Sequence, residues 1–395
     1  MSNRLVEIEL YALRLPFRRE VVSGGAIQGA SETVVAAALL ADGTVGYGEG
    51  LPLDGLTGET VESVLYNVGH SLAEGLGQVE PKNFPALLDF ADQLPFRNEQ
   101  GQLIHSARCC VELALLDAYS KSFGCSLASI VGWLGYGPFI GCETIEPPRV
   151  SGVLDGATAR LGSPLRLMRG YGLRDFKVNL AGDEDDSVWD FLGGRFEKAL
   201  HRGSLTLRVD AQGKWDVDKA LEMGEELGRR GVCCLEQPLA VDDQDHWQAL
   251  ADLSKVSLMA DESLLDLEDG MYLSQNDLVD YFNISINKNG GLIPAVRLAE
   301  LATQWSRGYQ LGATWGESGV LAAAGVRFLQ MVPFTRFTEI CYGSFRLKSD
   351  ILDRNIRFRY GGRLRNLSGH GLGVEVRRDR VSKFLMVPPR KISLA

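Results

Sequence analysis

Three acidic residues each end a short apolar run, and their spacing is nearly constant. Asp210 ends LTLRVD, Glu236 ends VCCLE and Asp261 ends SLMAD, at separations of 26 (236 − 210) and 25 (261 − 236) residues. Each separation is close to the length of one strand–helix unit, so the acids are predicted to end successive strands of a β/α barrel and to converge. Three converging carboxylates repel and lose hydration. A hard divalent cation with all-oxygen ligands, Mg²⁺ or alternatively Mn²⁺, relieves both costs.

The remaining chain supplies elements that would position these acids. From about residue 140, eight segments with strand character alternate with helical stretches: GCETI, DFKVNL, LTLRVD, VCCLEQ, SLMAD, YFNISI, YQLGATW and FTEICY. This alternation predicts a β/α barrel, and no glycine-rich phosphate loop follows the first strand as a doubly wound sheet would require. Residues 1 to about 60 are predicted to form strands with an Asp42-Gly43 turn, and the glycine-rich stretch over 18–31 is predicted to be a loop.

Composition excludes several classes of function. The 395-residue chain has a formal net charge of −10 and no basic cluster, which argues against a nucleic-acid-binding surface. Its seven cysteines include no CxxC motif, so we expect reduced thiols in a cytoplasmic protein. The N-terminus, MSNRLVEIEL, lacks the apolar core of a signal peptide. No stretch approaches the roughly 20 apolar residues of a membrane helix, so we expect no membrane association.

Further segments carry a resemblance to a known family. These are DGTVGYGEGLP followed by LTGET, the stretch from Ala107 to Gly132, FKVNL, INKNGGL and HGLGVEV. In this order and spacing, together with the three acids, they resemble the enolase superfamily and its muconate-lactonizing-enzyme-like subgroup. The resemblance implies an α/β fold: a (β/α)7β (TIM-like) barrel with an α+β capping domain built from the N-terminal region and the C-terminal tail. The implied domains are residues 1–132 for the cap, 133–348 for the barrel with its metal site, and 349–395 for the tail that returns to the cap.

Two positions depart from that family. Where the family carries Lys-x-Lys, the chain has Lys177-Val178-Asn179. Where a second lysine usually ends the sixth strand, the chain has Ser285, although Lys288 matches the other lysine of that motif. The resemblance therefore implies that Lys177, Asn179 and Ser285 occupy the catalytic positions. Asn179 and Ser285 cannot act as bases near neutral pH, whereas Lys177 either transfers a proton or acts through its charge.

Four further residues are candidates for contacting the substrate. Glu317 lies in TWGESG at the end of the seventh predicted strand, and Glu339 and Tyr342 lie near the end of the eighth. Glu143 ends the first predicted strand, where it or the neighbouring Cys142 would be able to replace a lost base. The resemblance also places substrate specificity in the segments around 21–30 and 51–57.

The resemblance implies removal of a proton next to a carboxylate, with the metal stabilising the resulting enolate. Racemisation requires a base on each face of the substrate, so the two departures favour a cycloisomerase or a lyase, either a dehydratase or a relative of o-succinylbenzoate synthase. The alternative is a metal-dependent carboxylate-binding protein that has lost catalysis. In either case the expected partner is a small-molecule carboxylate, and the family is typically homo-oligomeric.

Overall fold

A computed structural model describes residues 3–23, 26–142, 148–155, 158–180, 197–243 and 246–394. The N-terminal region forms an antiparallel sheet in the order β12-β1-β2-β3. Its strands are β1 (Leu5–Ser23), β2 (Ala26–Leu40), β3 (Val45–Gly50) and β12 (Arg390–Ser393). The C-terminal tail therefore supplies an edge strand to the N-terminal sheet, because β12 pairs with β1. The boundaries at 132/133 and 348/349 stay predictions.

Helix α5 packs against β3 along a row of glycines. Gly46, Gly48 and Gly50 alternate along the strand, and a Cβ atom at any of them would overlap the backbone of α5. The close approach explains the GYGEG sequence, since only glycine lets a helix backbone lie this near a strand. The helices of this region are α1 (Asp54–Thr57), α2 (Val61–Gly69), α3 (Ala73–Leu76), α4 (Phe84–Asp92), α5 (His105–Phe123) and α6 (Ser129–Leu134).

The second sheet consists of eight parallel strands in chain order, β4 to β11. A parallel bridge between Val150 and Thr338 joins the two edges. The predicted fold class is confirmed: a TIM-like barrel with a separate capping region. The strands are β4 (Gly152–Asp155), β5 (Asp175–Asn179), β6 (Thr206–Asp210), β7 (Cys234–Glu236), β8 (Ser257–Ala260), β9 (Tyr281–Ile284), β10 (Gly308–Leu311) and β11 (Phe337–Thr338).

Helices alternate with these strands, as the sequence pattern predicts. They are α7 (Thr158–Gly170), α8 (Val217–Arg229), α9 (Trp247–Leu253), α10 (Leu267–Gln275), α11 (Leu292–Gln304), α12 (Gly319–Met331), α13 (Gly343–Arg346) and α14 (Arg378–Val381). Within the described part of the chain, no helix is long and apolar enough to cross a membrane.

The strand register places residues of the candidate site side by side in one layer of the barrel. Asn179 on β5 pairs with Asp210 on β6, and Asp210 pairs with Glu236 on β7. All three residues lie at the carboxyl ends of their strands. Side chains from this layer are therefore held at one mouth of the barrel by backbone hydrogen bonds rather than by loops.

The predicted position of the first barrel strand is wrong. GCETI was expected to form it, but the first strand is Gly152–Asp155, and Cys142 is exposed outside any strand. Glu143 lies outside the described residues. The strand was hard to recognise because it is short and begins with a glycine, which weakens a strand pattern. A Cβ atom at Gly152 would lie 2.8 Å from the ring of Phe176, so packing against β5 explains the glycine.

The loop predicted over 18–31 is also wrong, because β1 and β2 extend through most of it. Val21, Val22 and Ser23 pair with Gln28, Ile27 and Ala26. Gly24 and Gly25, which suggested the loop, lie outside the described residues.

Buried carboxylates join the two regions. Glu49 on β3 accepts hydrogen bonds from the backbone N–H groups of Ser318 (2.9 Å) and Leu321 (3.0 Å), at the start of α12. Glu112 on α5 accepts from the N–H groups of Leu292 (2.7 Å) and Ile293 (2.9 Å), at the start of α11. Each carboxylate satisfies N–H groups that have no partner within their own helix. The capping region is thereby fixed in position above the barrel.

Candidate active site

A cavity of about 1320 Å³ lies between the capping region and the mouth of the barrel. Both segments expected to hold specificity contribute to its wall, through Gln28–Ala30 and Leu51–Leu56. The strand ends contribute most of the predicted site residues: Lys177, Asn179, Asp210, Asp261, Ser285, Glu317, Glu339 and Tyr342. The structure thus brings the predicted residues together at one place.

Lys177 is the centre of the charge arrangement in this cavity. Its Nζ atom lies 2.9 Å from Glu339, 3.1 Å from Glu236 and 3.2 Å from Asp210. The side chain is buried, and so are its three partners. Lys177 therefore bridges β6, β7 and β11 from its own position on β5.

Arg208 supports this cluster from within the barrel. Its guanidinium donates to Glu339 Oε1 (2.8 Å), to Ser151 Oγ (2.9 Å) and to Gln310 Oε1. Gln310 Nε2 in turn donates to Glu236 Oε2 (3.4 Å). Two of the three carboxylates that contact Lys177, Glu339 and Glu236, are thus held from the other side by a fully buried arginine and its amide neighbour.

Asp261 has a different cationic partner. Lys288 Nζ lies 2.8 Å from Asp261 Oδ1 and also donates to the backbone oxygens of Asp261 (2.6 Å) and Asn283 (2.9 Å). The Asn283 amide donates to Glu236 Oε1 (2.7 Å). Gln237 Oε1 accepts from the N–H group of Asp261 (3.0 Å), which fixes the start of the loop after β8.

Burial and neighbouring charges act on these groups in opposite directions. Burial by itself would lower the pKa of Lys177, but the charges of Glu236, Glu339 and Asp210 raise that pKa well above its usual value. Burial would raise the pKa of Glu339, but Lys177 and Arg208 lower it below its usual value. Burial raises the pKa of Asp210 above its usual value, and it raises the pKa of Glu236 well above its usual value. Lys177 and Glu339 are consequently a charged pair.

The site carries more negative than positive charge. Among the described residues of the cluster, the carboxylates are Asp210, Glu236, Asp261, Glu262 and Glu339, and the cations are Lys177, Arg208 and Lys288. When all are ionised, two negative charges remain without compensation. Burial, together with Asp261 and Asp210, raises the pKa of Glu262 to about 8, which is the response of a carboxyl in such a field.

The donor set fits a hard divalent cation in its chemistry. Asp210, Glu236 and Asp261 offer only oxygen donors, and a divalent cation would offset the excess of two negative charges. The arrangement differs from a ligand shell, because Lys177 contacts two of the acids and Lys288 the third. In the part of the chain that the structure describes, no group of three or more His, Cys, Asp or Glu side chains is arranged to hold a metal ion. Binding of a metal ion by these three acids would therefore require the ammonium groups of Lys177 and Lys288 to move away from them.

Asn179 and Ser285, the two positions at which the sequence resemblance implies a lysine in the family, both line the cavity. Both are buried, with 9% and 5% of their surface exposed. Among the residues that the structure describes, the Asn179 side-chain oxygen and the Ser285 hydroxyl have no hydrogen-bond partner. Buried polar atoms without partners are uncommon in folded proteins, and each calls for an explanation.

The remaining predicted residues differ in their surroundings. The Tyr342 hydroxyl donates to the backbone oxygen of Ser151 and accepts from the N–H group of Val153 (3.1 Å), so its polar end is engaged in the fold. Glu317 Oε1 accepts from the N–H group of Thr314 (2.7 Å). The pKa of Glu317 is raised to about 8, because its carboxyl is buried.

Sequence reasoning missed three contributors to the site: Arg208, Gln310 and Arg346. Arg208 precedes Asp210 by two residues on one strand, so both face the same side, and this alternation was a usable signal. Gln310 lies in no sequence motif that would have indicated its place in the site. Arg346 lines the cavity with its guanidinium 3.1 Å from the centre of the Trp315 ring, a contact that only the folded chain creates.

Comparisons with known proteins agree with this architecture. Residues 165–380 match the family described as enolase C-terminal domain-like, and residues 8–132 match the mandelate racemase / muconate lactonizing enzyme N-terminal domain. The chain belongs to the enolase superfamily. Within it, the chain falls in the muconate-lactonizing-enzyme-like subgroup, whose characterised members are enzymes.

Relatives of this enolase-superfamily chain have different activities. It is 30% identical to an L-Lys-D/L-Arg epimerase from Methylococcus capsulatus, over 85% of this chain and 88% of the relative. It is 24% identical to an N-succinyl-L-Arg/Lys racemase from Bacillus cereus, over 96% of this chain and 98% of the relative. The solved muconate lactonizing enzyme from Pseudomonas putida has the same fold, with a TM-score of 0.81 at 24% identity over 97% and 99% of the two chains. The relatives therefore identify the family and leave the reaction open.

The raised pKa of Glu317 predicts a pH-dependent effect on stability. Its folded pKa of about 8 exceeds the ordinary value of 4.5, so ionisation penalises the folded state increasingly as pH rises from 4.5 to 8. Glu317→Gln removes that penalty and keeps an acceptor for Thr314. We expect the variant to gain stability over the wild type between pH 5 and pH 8, by up to on the order of 3 kcal/mol. Urea titrations at both pH values measure the difference, and Glu32→Gln, in an exposed ion pair with Arg14, is the control. Equal wild-type and Glu317→Gln curves at both pH values would contradict the assignment.

Proposed function

We propose that the protein is a magnesium-dependent enzyme that acts on a small-molecule carboxylate, as a cycloisomerase or a lyase rather than a racemase. The observation that carries the proposal is the layer of strand-end acids beside a large cavity. Asp210 and Asp261 line the cavity, and Glu236 contacts Lys177, which also lines it. The homo-oligomeric state and the cytoplasmic location stay predictions.

Asp210, Glu236 and Asp261 are the residues that would hold Mg²⁺, with Mn²⁺ as the alternative. When bound, such a cation supplies positive charge that neutralises the charge developing on a substrate carboxylate. The protein's own contribution is to fix the three acids in register. Asn283 and Gln310 donate to Glu236, and Gln237 holds the backbone at Asp261, so the donors are oriented before any ligand arrives.

Lys177 supplies fixed positive charge at the reacting end of the cavity. Glu339, which Arg208 holds in place, anchors it on one side, so the ammonium cannot leave the cluster without losing a 2.9 Å ion pair. A positive charge kept near this position stabilises negative charge on a bound ligand. This arrangement favours a reaction that depends on charge stabilisation more than on proton abstraction, such as a cycloisomerisation or an elimination with a good leaving group.

Racemisation requires proton transfer on both faces of the substrate, and this chain has no base at either position. Asn179 and Ser285 stand where the family's two lysines would be, at the end of β5 and directly after β9, on opposite sides of the barrel. Neither an amide nor a hydroxyl accepts a proton near neutral pH. The names of the epimerase and racemase relatives therefore do not transfer to this chain.

Asn179 and Ser285 also favour a second candidate function, which is ligand binding without catalysis. A protein that binds a metal and a carboxylate but performs no chemistry would also keep the acids and lose the bases. The two candidates differ in turnover, because both bind ligand but only the enzyme consumes it. Incubation of a bound carboxylate with the protein and Mg²⁺, followed by NMR, separates them.

The first prediction concerns the metal ligands. Asp210→Asn, Glu236→Gln and Asp261→Asn should each weaken Mg²⁺ binding by at least tenfold, because each removes one anionic donor. Isothermal titration calorimetry near pH 7.5 measures the affinity. Glu225→Gln on the exposed face of α8 is the control and should bind like the wild type. Unaltered binding in a variant with all three substitutions would refute the site.

The second prediction concerns Lys177. Lys177→Met should abolish turnover of a confirmed substrate and should not weaken Mg²⁺ binding, because the ammonium competes with the cation for Asp210 and Glu236. Lys177→Arg should keep part of the turnover, since it retains charge without basicity. If the arginine variant is as inactive as the methionine variant, charge alone does not suffice and Lys177 is the base. If both variants turn over like the wild type, Lys177 has no role in the reaction.

The third prediction concerns the missing bases. The wild type should not exchange the α-hydrogen of N-acyl amino acids in deuterium oxide, because each general acid or base typically contributes roughly 10²- to 10⁴-fold. A variant carrying both Asn179→Lys and Ser285→Lys should gain measurable exchange by NMR, whereas each single variant should gain less. Circular dichroism confirms that the double variant is folded. Rapid exchange by the wild type would overturn the assignment against racemisation.

A further inference from the structure

Two neutral polar groups lie on opposite sides of the mouth of the barrel. Asn179 ends β5 and Ser285 follows β9, four strands away in a barrel of eight. Both line the cavity, both are more than nine-tenths buried, and neither the Asn179 side-chain oxygen nor the Ser285 Oγ has a partner in the described part of the chain. Their position opposite one another means that a ligand between them meets one group on each side.

The chemistry of the two groups limits what can satisfy them. The Asn179 oxygen accepts hydrogen bonds, so its partner must carry an O–H or N–H group. The Ser285 hydroxyl donates and accepts, so it pairs with a second hydroxyl as well as with any acceptor. Charged groups of a ligand have better partners nearby, because Lys177 and Arg346 line the same cavity. Neutral hydroxyl groups are the ligand chemistry that satisfies both Asn179 and Ser285.

We propose that the cavity recognises a carboxylate whose carbon chain carries hydroxyl groups, and that Asn179 and Ser285 bind these hydroxyls from opposite sides. This inference rests on the proposed function, because it takes the same cavity as the substrate site. A plain hydrocarbon carboxylate of the same length would leave both groups buried without partners. Sites built to bind a substrate hydroxyl discriminate strongly against analogues that lack it.

The rest of the wall is consistent with a polar ligand chain. Thr314, Gln28, Gln212 and Ser31 also line the cavity. The hydroxyl of Ser31 is likewise buried without a partner within the protein. Unpartnered oxygens therefore occur on the capping side of the cavity as well as at the strand ends, so a ligand with several hydroxyls has hydrogen-bonding positions along its length.

The experiment compares gluconate, a six-carbon acid with hydroxyls along its chain, with hexanoate, which lacks them. Calorimetry on the full chain with Mg²⁺ present measures both affinities. We expect gluconate to bind the wild type at least tenfold more tightly than hexanoate. Ser285→Ala and Asn179→Leu should each reduce that preference at least fivefold by weakening gluconate, while hexanoate binding stays equal or improves.

Ser274→Ala provides the matched control. Ser274 on α10 also carries a buried hydroxyl without a partner, but it does not line the cavity. The control should keep the full preference for gluconate. Thermal unfolding without ligand adds a second measurement: Ser285→Ala should unfold at the wild-type temperature or higher, because it removes an unsatisfied buried group.

Several results would overturn the inference. They are equal affinity for the two acids, no binding of either acid, tighter binding of N-acetylalanine than of gluconate, or a preference that survives both substitutions. A fall of several degrees in the unfolding temperature of Ser285→Ala would also overturn it, because the hydroxyl would then serve the fold. Mg²⁺ titrations of the Asp210, Glu236 and Asp261 variants report separately on the proposed function, so the two failures are distinguishable.

Discussion

The ammonium group of Lys177 is the interaction on which the site depends. Asp210, Glu236 and Glu339 come from three strands, and all lie within 3.2 Å of that one nitrogen. Buried carboxylates at this separation would repel one another without a cation between them. The barrel supplies that cation from a neighbouring strand, because β5 pairs with β6 and carries Lys177. One salt-bridged cluster thus links the strand register to the chemistry of the mouth.

Buried acidic side chains also form the polar contacts described where the capping region meets the barrel. Glu49 and Glu112 are fully buried, and each accepts backbone N–H groups at the start of a barrel helix. Hydrogen bonds of this kind are directional, unlike apolar packing, so they fix the orientation of the cap as well as its position. The shape of the cavity depends on that orientation, because residues of both the capping region and the barrel form its walls.

Much of the fold and part of the site could be predicted from the sequence. The acids at 210, 236 and 261 were recognisable because strand–helix units have a nearly constant length, and the departures at 179 and 285 because they fall inside short motifs. The first strand was misplaced because a tertiary contact, Gly152 against Phe176, determines its sequence. The contacts of Arg208 with Glu339 and of Lys288 with Asp261 were not predicted, because the partners in each pair lie far apart in the sequence.

Charge balance connects the two departures to the kind of ligand that the cavity accepts. Five carboxylates and three cations form the described cluster, so a lysine at each of positions 179 and 285 would have brought the formal charge close to zero. With neutral residues there, two negative charges remain when all five carboxyls are ionised, and an incoming carboxylate would add to them. A divalent cation offsets the excess, and Lys177 then supplies positive charge for the ligand. The loss of the two lysines therefore makes anion binding depend more strongly on the metal, and it leaves the two faces of the cavity to neutral hydrogen bonds.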